Sequence, residues 1–104
     1  MAGHCRYSRQ AEEDLLGIHP HISQHSVTAA SNLLRTIDIQ CRDLARMPGL
    51  GVRRDRLRPG LRQWLVGELL NLYLAEADGI FVVRVVHGRT DLTKLFGRSG
   101  PQDD

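Results

Sequence analysis

Ala11, Leu15, Ile18 and Ile22 recur at i, i+4, i+7 and i+11, one face of a helix. Ser8 stands before this run as an N-cap, and Glu12, Glu13 and Asp14 fill the first turns, where the helix dipole favours acidic side chains. Pro20 is discordant: inside a helix it deletes one backbone bond and crowds the preceding turn, costing about 3 kcal/mol, which predicts a kink or an early stop near His19. A second stripe, Ala30, Leu33, Leu34, Ile37, Cys41 and Leu44, predicts a longer helix capped at Ser26 and ended by Pro48-Gly49. Two such helices joined by a short link make an antiparallel hairpin, whose stripes must be buried against another layer.

The rest of the chain supplies that layer. Residues 3–7 read as a short strand, and 61–66, 69–76 and 80–87 as three longer ones. Their spacers, Gly67-Glu68 and Ala77-Asp78-Gly79, are short enough to make neighbours antiparallel. The order is β-α-α-β-β-β, an α+β fold with a helical hairpin packed on a small antiparallel sheet. Residues 91–96 carry Leu92, Leu95 and Phe96, their local structure left open. In the last strand, alternation puts Phe81, Val83 and Val85 in one row and Ile80, Val82 and Val86 around Arg84 in the other. Both rows are apolar and only one can meet the hairpin, so either the C-terminal segment covers part of the second face or a partner does.

A length of 104 residues leaves room for one domain, placed at 1–97, with a polar tail at 98–104 expected to be disordered. With 41% hydrophobic and 25% charged residues, the composition is that of an ordinary globular domain. The longest apolar stretch, 79–86, is interrupted by Arg84, and residues 1–7 contain no signal-peptide core; the expectation is a cytoplasmic protein without membrane association. Cys5 and Cys41 are too few for a disulfide scaffold and read as reduced thiols. His21 and His25 are spaced i, i+4 near His19, but no third ligand completes a metal site, and no cofactor is expected. The net charge of +2 is unevenly spread: residues 35–62 carry +5, whereas the flanking segments sum to −1 and −2. The run 53–58, with Arg53, Arg54 and Arg56, reads as a flexible basic loop suited to acidic side chains or nucleic acid.

Four stretches in order resemble toxins of the RelE/ParE superfamily, on the ParE (plasmid stabilisation) side. They are Tyr7-Ser8-Arg9-Gln10-Ala11-Glu12-Glu13-Asp14-Leu15, then Cys41-Arg42-Asp43-Leu44-Ala45-Arg46-Met47-Pro48-Gly49-Leu50-Gly51, then Leu57-Arg58-Pro59-Gly60-Leu61-Arg62, and last Arg84-Val85-Val86-His87-Gly88-Arg89-Thr90-Asp91-Leu92. The resemblance runs over residues 7–96 and agrees with the β-α-α-β-β-β order. It implies a type II toxin that inhibits DNA gyrase and is held inactive by a cognate antitoxin, ParD-like or another small acidic protein, in a hetero-oligomer. The alternatives are a RelE-like ribosome-dependent mRNA endonuclease and a degenerate toxin acting only as an antitoxin-binding module. Fold alone does not choose among them.

The chemistry separates them further. A ribonuclease needs a base, an acid and cations, and Arg62, Arg84, His87 and Arg89 are expected near one end of the sheet. The RelE-like pattern places a Tyr after the last strand, whereas the segment here is Asp91-Leu92-Thr93-Lys94-Leu95-Phe96, and no Glu-His pair is evident. No catalytic residue is therefore assigned, although nuclease activity stays open. Arg84, set among valines, is expected to pair with Asp91 or an antitoxin acid, His87 with backbone or Asp91, and Arg89 with Asp91. Gly88 is expected to leave the strand with positive φ. Trp64 is core or interface. The residues expected to meet target or partner are Arg53, Arg54, Arg56, Arg62, Trp64, Arg84, His87, Arg89 and Asp91, with direct nucleic-acid binding left open.

Overall fold

Strand β1 (His4–Tyr7) passes at Ser8 into helix α1 (Arg9–Ser23), which is followed by α2 (Val27–Arg46). A 3₁₀ turn (Pro48–Leu50) leads to β2 (Val52–Arg53), β3 (Leu61–Val66), β4 (Leu69–Glu76), β5 (Gly79–His87) and a last short helix, α3 (Leu92–Phe96). The computed structural model describes the backbone of residues 3–23 and 27–96 and the side chains there outside 18–30. The expected tail at 98–104, the Ser26 cap and the His19, His21 and His25 side chains lie outside the described residues. Helix α1 continues through Pro20 to Ser23, so the early stop is corrected. Pro20 lies in the last turns, where the missing amide removes one bond, to the Leu16 carbonyl, close to a helix end.

The sheet order is β1-β5-β4-β3-β2. The antiparallel expectation holds for β3, β4 and β5, but β1 lies parallel to β5, so the sheet is mixed. No short turn dictates the direction of β1, because the hairpin and two strands separate it from β5. Gly79 permits this pairing: a Cβ there would fall on the His4 carbonyl oxygen. The fifth strand, β2, pairs only Val52 with Gln63 and Arg53 with Arg62, too short to show as alternation.

Along β5 the register slips. Leu72 opposes Arg84 but Tyr73 opposes Val82, leaving Val83 as an extra, bulged residue. The bulge exchanges the predicted rows beyond it. Ile80, Val82 and Val85 join the core under the helices, with Ala11, Ile37, Cys41, Leu44 and Tyr73, whereas Phe81, Val83 and Val86 face the other way.

The bulge also lies where β5 loses its neighbour, because β1 ends at Tyr7 opposite Val82. The start of α1 takes over the exposed backbone. The Ser8 N–H donates to the Val82 carbonyl at 2.9 Å. Its hydroxyl donates to the Val83 carbonyl at 2.7 Å and accepts from the Ala11 N–H at 2.9 Å, the expected N-cap. Asp14 accepts from the Val85 N–H at 2.9 Å and from Arg84 Nε and Nη2 at 2.8 Å each. The expected Arg84–Asp91 pair is thus corrected: Asp14, on the helix covering the bulge, takes the guanidinium.

The middle of the second face is covered by the chain itself. Asp91 caps α3, accepting from the Thr93 N–H at 3.0 Å and the Lys94 N–H at 3.3 Å, which also removes it from Arg89. Leu92 and Phe96 then bury Leu61, Leu70, Leu72 and Val83 together with Leu57. Arg6 lies 4.5 Å over the Phe81 ring and is held there by Glu76. The C-terminal segment thus covers part of this face, while Leu74, Phe81 and Val86 stay only partly buried.

At the far end of the sheet, Tyr73 fixes the turn after α2. Its hydroxyl donates to the Pro48 carbonyl at 2.6 Å and accepts from the Gly51 N–H at 2.8 Å. A Cβ at Gly51 would collide with that hydroxyl and with the Gln63 carbonyl.

Two stability predictions follow from these contacts. Asp14→Ala leaves Arg84 unpaired at 20% side-chain exposure and strips the Val85 amide. The loss should be about 2–3 kcal/mol, measured by urea denaturation, below the figure for a fully buried pair because water still reaches both groups. Tyr73→Phe removes both hydroxyl bonds at once and should cost about 1–3 kcal/mol, with faster amide exchange confined to residues 48–60.

Candidate functional site

Residues 53–62 form an anchored loop, not the flexible one expected. Arg53 pairs with Asp55 at 2.8 Å, and Arg54 Nη1 donates to Gln63 Oε1 at 2.7 Å. The Gly60 N–H donates to Asp55 Oδ1 at 2.9 Å; this bond, with Arg53 beside it, holds the Asp55 carboxyl below its ordinary range. Gly60 adopts φ 84°, which few other residues tolerate, and Leu57 is buried in the second-face core. Arg62 Nη1 donates to the Gly51 carbonyl at 2.7 Å and the Gly49 carbonyl at 3.3 Å, so it clamps the turn that Tyr73 also holds. Arg56 and Arg58 are exposed, and their guanidinium groups have no partner among the described residues.

This loop borders one of the two edges of the sheet, the other being β1. Strand β2 pairs with β3 on one side only. Val52 on it is 61% exposed, and Met47 and Leu50 just before it are also exposed. An unpaired edge flanked by apolar side chains and free arginines can accept an extended or helical segment that carries apolar and acidic residues. Trp64 is half-buried against the helix-side core, where its indole N–H donates to Gln40 Oε1 of α2 at 3.0 Å.

His87 marks a different corner. Its Nδ1 accepts from the Arg89 N–H at 3.1 Å, which leaves the Nε2 proton to face Glu68 Oε1 at 3.2 Å. The structure therefore contains the Glu-His pair that the sequence did not reveal, although the Glu68 side chain is 85% exposed. Arg89 makes no ion pair among the described residues, so the expected bridge to Asp91 is absent. Gly88 has no positive φ; its N–H instead donates to the Glu68 carbonyl at 2.8 Å.

The expected cluster of Arg62, Arg84, His87 and Arg89 at one sheet end is not assembled. Arg62 is level with Tyr73, and His87 with Leu69. Four residues along a strand and two strand spacings across separate them, ~13 Å by ~10 Å. Arg84, between them, is occupied by Asp14, which holds its guanidinium more firmly protonated than usual. No phosphate could touch all of these groups together. Among the described residues, no group of three or more His, Cys, Asp or Glu side chains could hold a metal ion, and no helix is long and apolar enough to cross a membrane.

Sequence reasoning missed Asp14, Gln63, Gln40 and Glu68. Asp14 carried a signal: it lies three residues after Ala11 and beside Leu15, an acid bordering the apolar stripe. Glu68 meets His87 only through the register of β4 and β5, which no local pattern encodes.

Comparison with known proteins agrees with this architecture. The chain resembles a solved chromosomal ParDE toxin-antitoxin system from P. aeruginosa, with a TM-score of 0.66 at 20% identity over 80% of this chain and 92% of that one. It also resembles the RelBE2 toxin-antitoxin complex from Mycobacterium tuberculosis, with a TM-score of 0.53 at 22% identity over 84% and 99% of the two chains. Toxin ParE3 of Caulobacter vibrioides is 32% identical over 74 residues, 71% of this chain and 74% of that protein. The family model of the ParE toxin of type II toxin-antitoxin system, parDE, matches residues 5–92. With both the fold and nearly the whole sequence matched, the chain belongs to the ParE toxin family of type II toxin-antitoxin systems.

Proposed function

We propose that this toxin acts in the cytoplasm on DNA gyrase, without cleaving nucleic acid itself, and that a cognate antitoxin neutralises it. The observation that carries this reading is the dispersal of its candidate catalytic groups: Arg62 clamps a turn, Arg84 is held by Asp14, and His87 lies at another corner. A protein built this way acts by shape and charge, in keeping with its ParE family. The antitoxin docks along the β2 edge, where Met47, Leu50 and Val52 are exposed beside Arg56 and Arg58. Coverage of the middle of the second face by α3 and Arg6 favours this edge over that face for the contact.

The RelE-like endonuclease is the competing reading, favoured by one contact, His87 Nε2 to Glu68 Oε1 at 3.2 Å. Purified toxin added to gyrase, ATP and supercoiled DNA should trap cleaved DNA, and His87→Gln should keep this effect within about twofold, because the imidazole proton takes no part. Codon-specific mRNA cuts in a translating extract, lost in His87→Gln, would establish the endonuclease instead.

The antitoxin edge has its own test. Reversing Arg56 and Arg58 together to Glu should weaken antitoxin binding at least about tenfold at low salt, and less at high salt, while leaving the urea midpoint unchanged. Equal affinity at both salt concentrations would remove these arginines from the interface.

A further inference from the structure

Strand β1 ends the sheet on the side away from β2, and its backbone is half used. The His4 N–H donates to the Asp78 carbonyl at 3.0 Å and the Ser8 N–H to the Val82 carbonyl at 2.9 Å, so the even-numbered residues turn their backbone groups to β5. In an extended strand the N–H and C=O of one residue point to the same side, and those of the next residue to the other. The N–H and C=O groups of Cys5 and Tyr7 therefore face outward, with no further strand beyond them among the described residues. Their side chains turn to the helix side, where both pack against the core. A groove of ≈ 340 Å³ runs along this edge, walled by Cys5 and Tyr7 of β1 and by Asp38, Arg42 and Arg46 of α2.

Asp38, Arg42 and Arg46 recur at i, i+4 and i+8, one row along the flank of α2, and each side chain is at least half exposed. Arg46 stands at the Gly3 end of the strand, where a Cβ on Gly3 would lie 3.8 Å from its Cγ. Eight residues of helix rise ~12 Å, close to the length of four steps of strand, so the row spans the groove with Asp38 toward Tyr7. The row is thus acidic at one end and basic at the other. Within it Asp38 pairs with Arg42 at 3.2 Å, and Arg46 lies 4.0 Å from Asp43, outside hydrogen-bond range. On the opposite face of β1, Arg6 is neutralised by Glu76 and held over the Phe81 ring.

We propose that β1 is a self-pairing edge: two copies of this chain join β1 to β1 antiparallel across a twofold axis, making one continuous sheet with β2 at both ends. The outward N–H and C=O groups of Cys5 and Tyr7 bond to those of the other copy's strand. Antiparallel pairing also runs the two α2 rows in opposite directions. Asp38 of each copy then meets the arginine end of the other row. This charge order selects the occupant. A uniformly acidic strand, or a nucleic-acid backbone, would bring negative charge against Asp38, and a basic strand would meet Arg42 and Arg46. A second copy running the other way is complementary at both ends of the groove. The contact is short, four residues of strand and one helix flank from each chain, so the dimer is weak, dissociating at about 100 µM. It leaves β2 free and does not depend on the antitoxin or gyrase readings.

The test uses the full chain. Sedimentation equilibrium at concentrations up to about 1 mM should show the mass rising toward twice that of one chain. Amide exchange at Cys5 and Tyr7 should slow over the same range, with Val52 on the β2 edge unchanged. Asp38→Arg makes one row wholly basic, and Arg42→Asp with Arg46→Asp makes it wholly acidic. Each variant alone should self-associate at least about tenfold more weakly, because its cross-axis contacts become like-charged. Mixing the two should restore a dimer at least as tight as that of the wild type. A single-chain mass at the highest concentration, slowing at Val52 in place of Cys5 and Tyr7, variants that associate like the wild type, or a mixture that stays monomeric would each overturn the proposal. The wild-type mass and exchange decide even if a variant fails to fold.

Discussion

The Asp14 carboxylate closes the one gap that the strand arrangement opens. Strand β1 stops opposite Val82, and β5 continues to His87 without a neighbour on that side. A central strand cannot leave its amides and carbonyls unsatisfied beneath a helix, because each buried, unpaired group costs about 1–3 kcal/mol. Ser8 and Asp14 take three of these groups, and Arg84 balances the charge of Asp14. Because Asp14 is only 13% exposed on its side chain, the guanidinium and the amide replace most of its hydration. The helical hairpin is thereby set on the sheet at one angle, with Ala11, Ile37, Cys41 and Leu44 over Val82 and Val85.

The bulge at Val83 is the other half of that solution. It sends Val85 to the helices and Val86 to the second face, so both cores are filled from one strand. It also aims Arg84 sideways at α1, where an unbroken alternation would have pointed it into one of the apolar layers. With α3, Leu57 and Arg6 laid over the middle of the second face, the sheet leaves open its two edges, β1 and β2, and the margins of that face.

Charge is distributed by the same logic. The segment of +5 suggests a single electrostatic face, yet Arg53, Arg54 and Arg62 are used within the chain, on Asp55, Gln63 and two carbonyls. Within the loop, the arginines left for a partner are Arg56 and Arg58, whose guanidinium groups have no partner among the described residues. An exposed pair such as Arg53–Asp55 adds little stability, but Arg62 bonds the carbonyl of buried Gly51 and so helps to hold the turn after α2.

Local order was legible in the sequence because it depends on short-range chemistry. The Ser8 cap, the Ile37–Cys41–Leu44 stripe, the helix end at Pro48, and strands β3, β4 and β5 each rest on residues within a few positions of one another. So did family membership, since the motifs that carry it are local strings in a set order. Relations between distant residues were not legible. The parallel β1, the Val83 bulge, and the Arg84–Asp14 and His87–Glu68 pairs join residues 9 to 75 positions apart. Such pairs depend on register, and a slip of one residue in a strand turns every side chain beyond it to the opposite face. Periodicity names the elements and their apolar sides. Only the packed sheet decided which charge meets which, and therefore which arginines and which histidine remain available for chemistry or a partner.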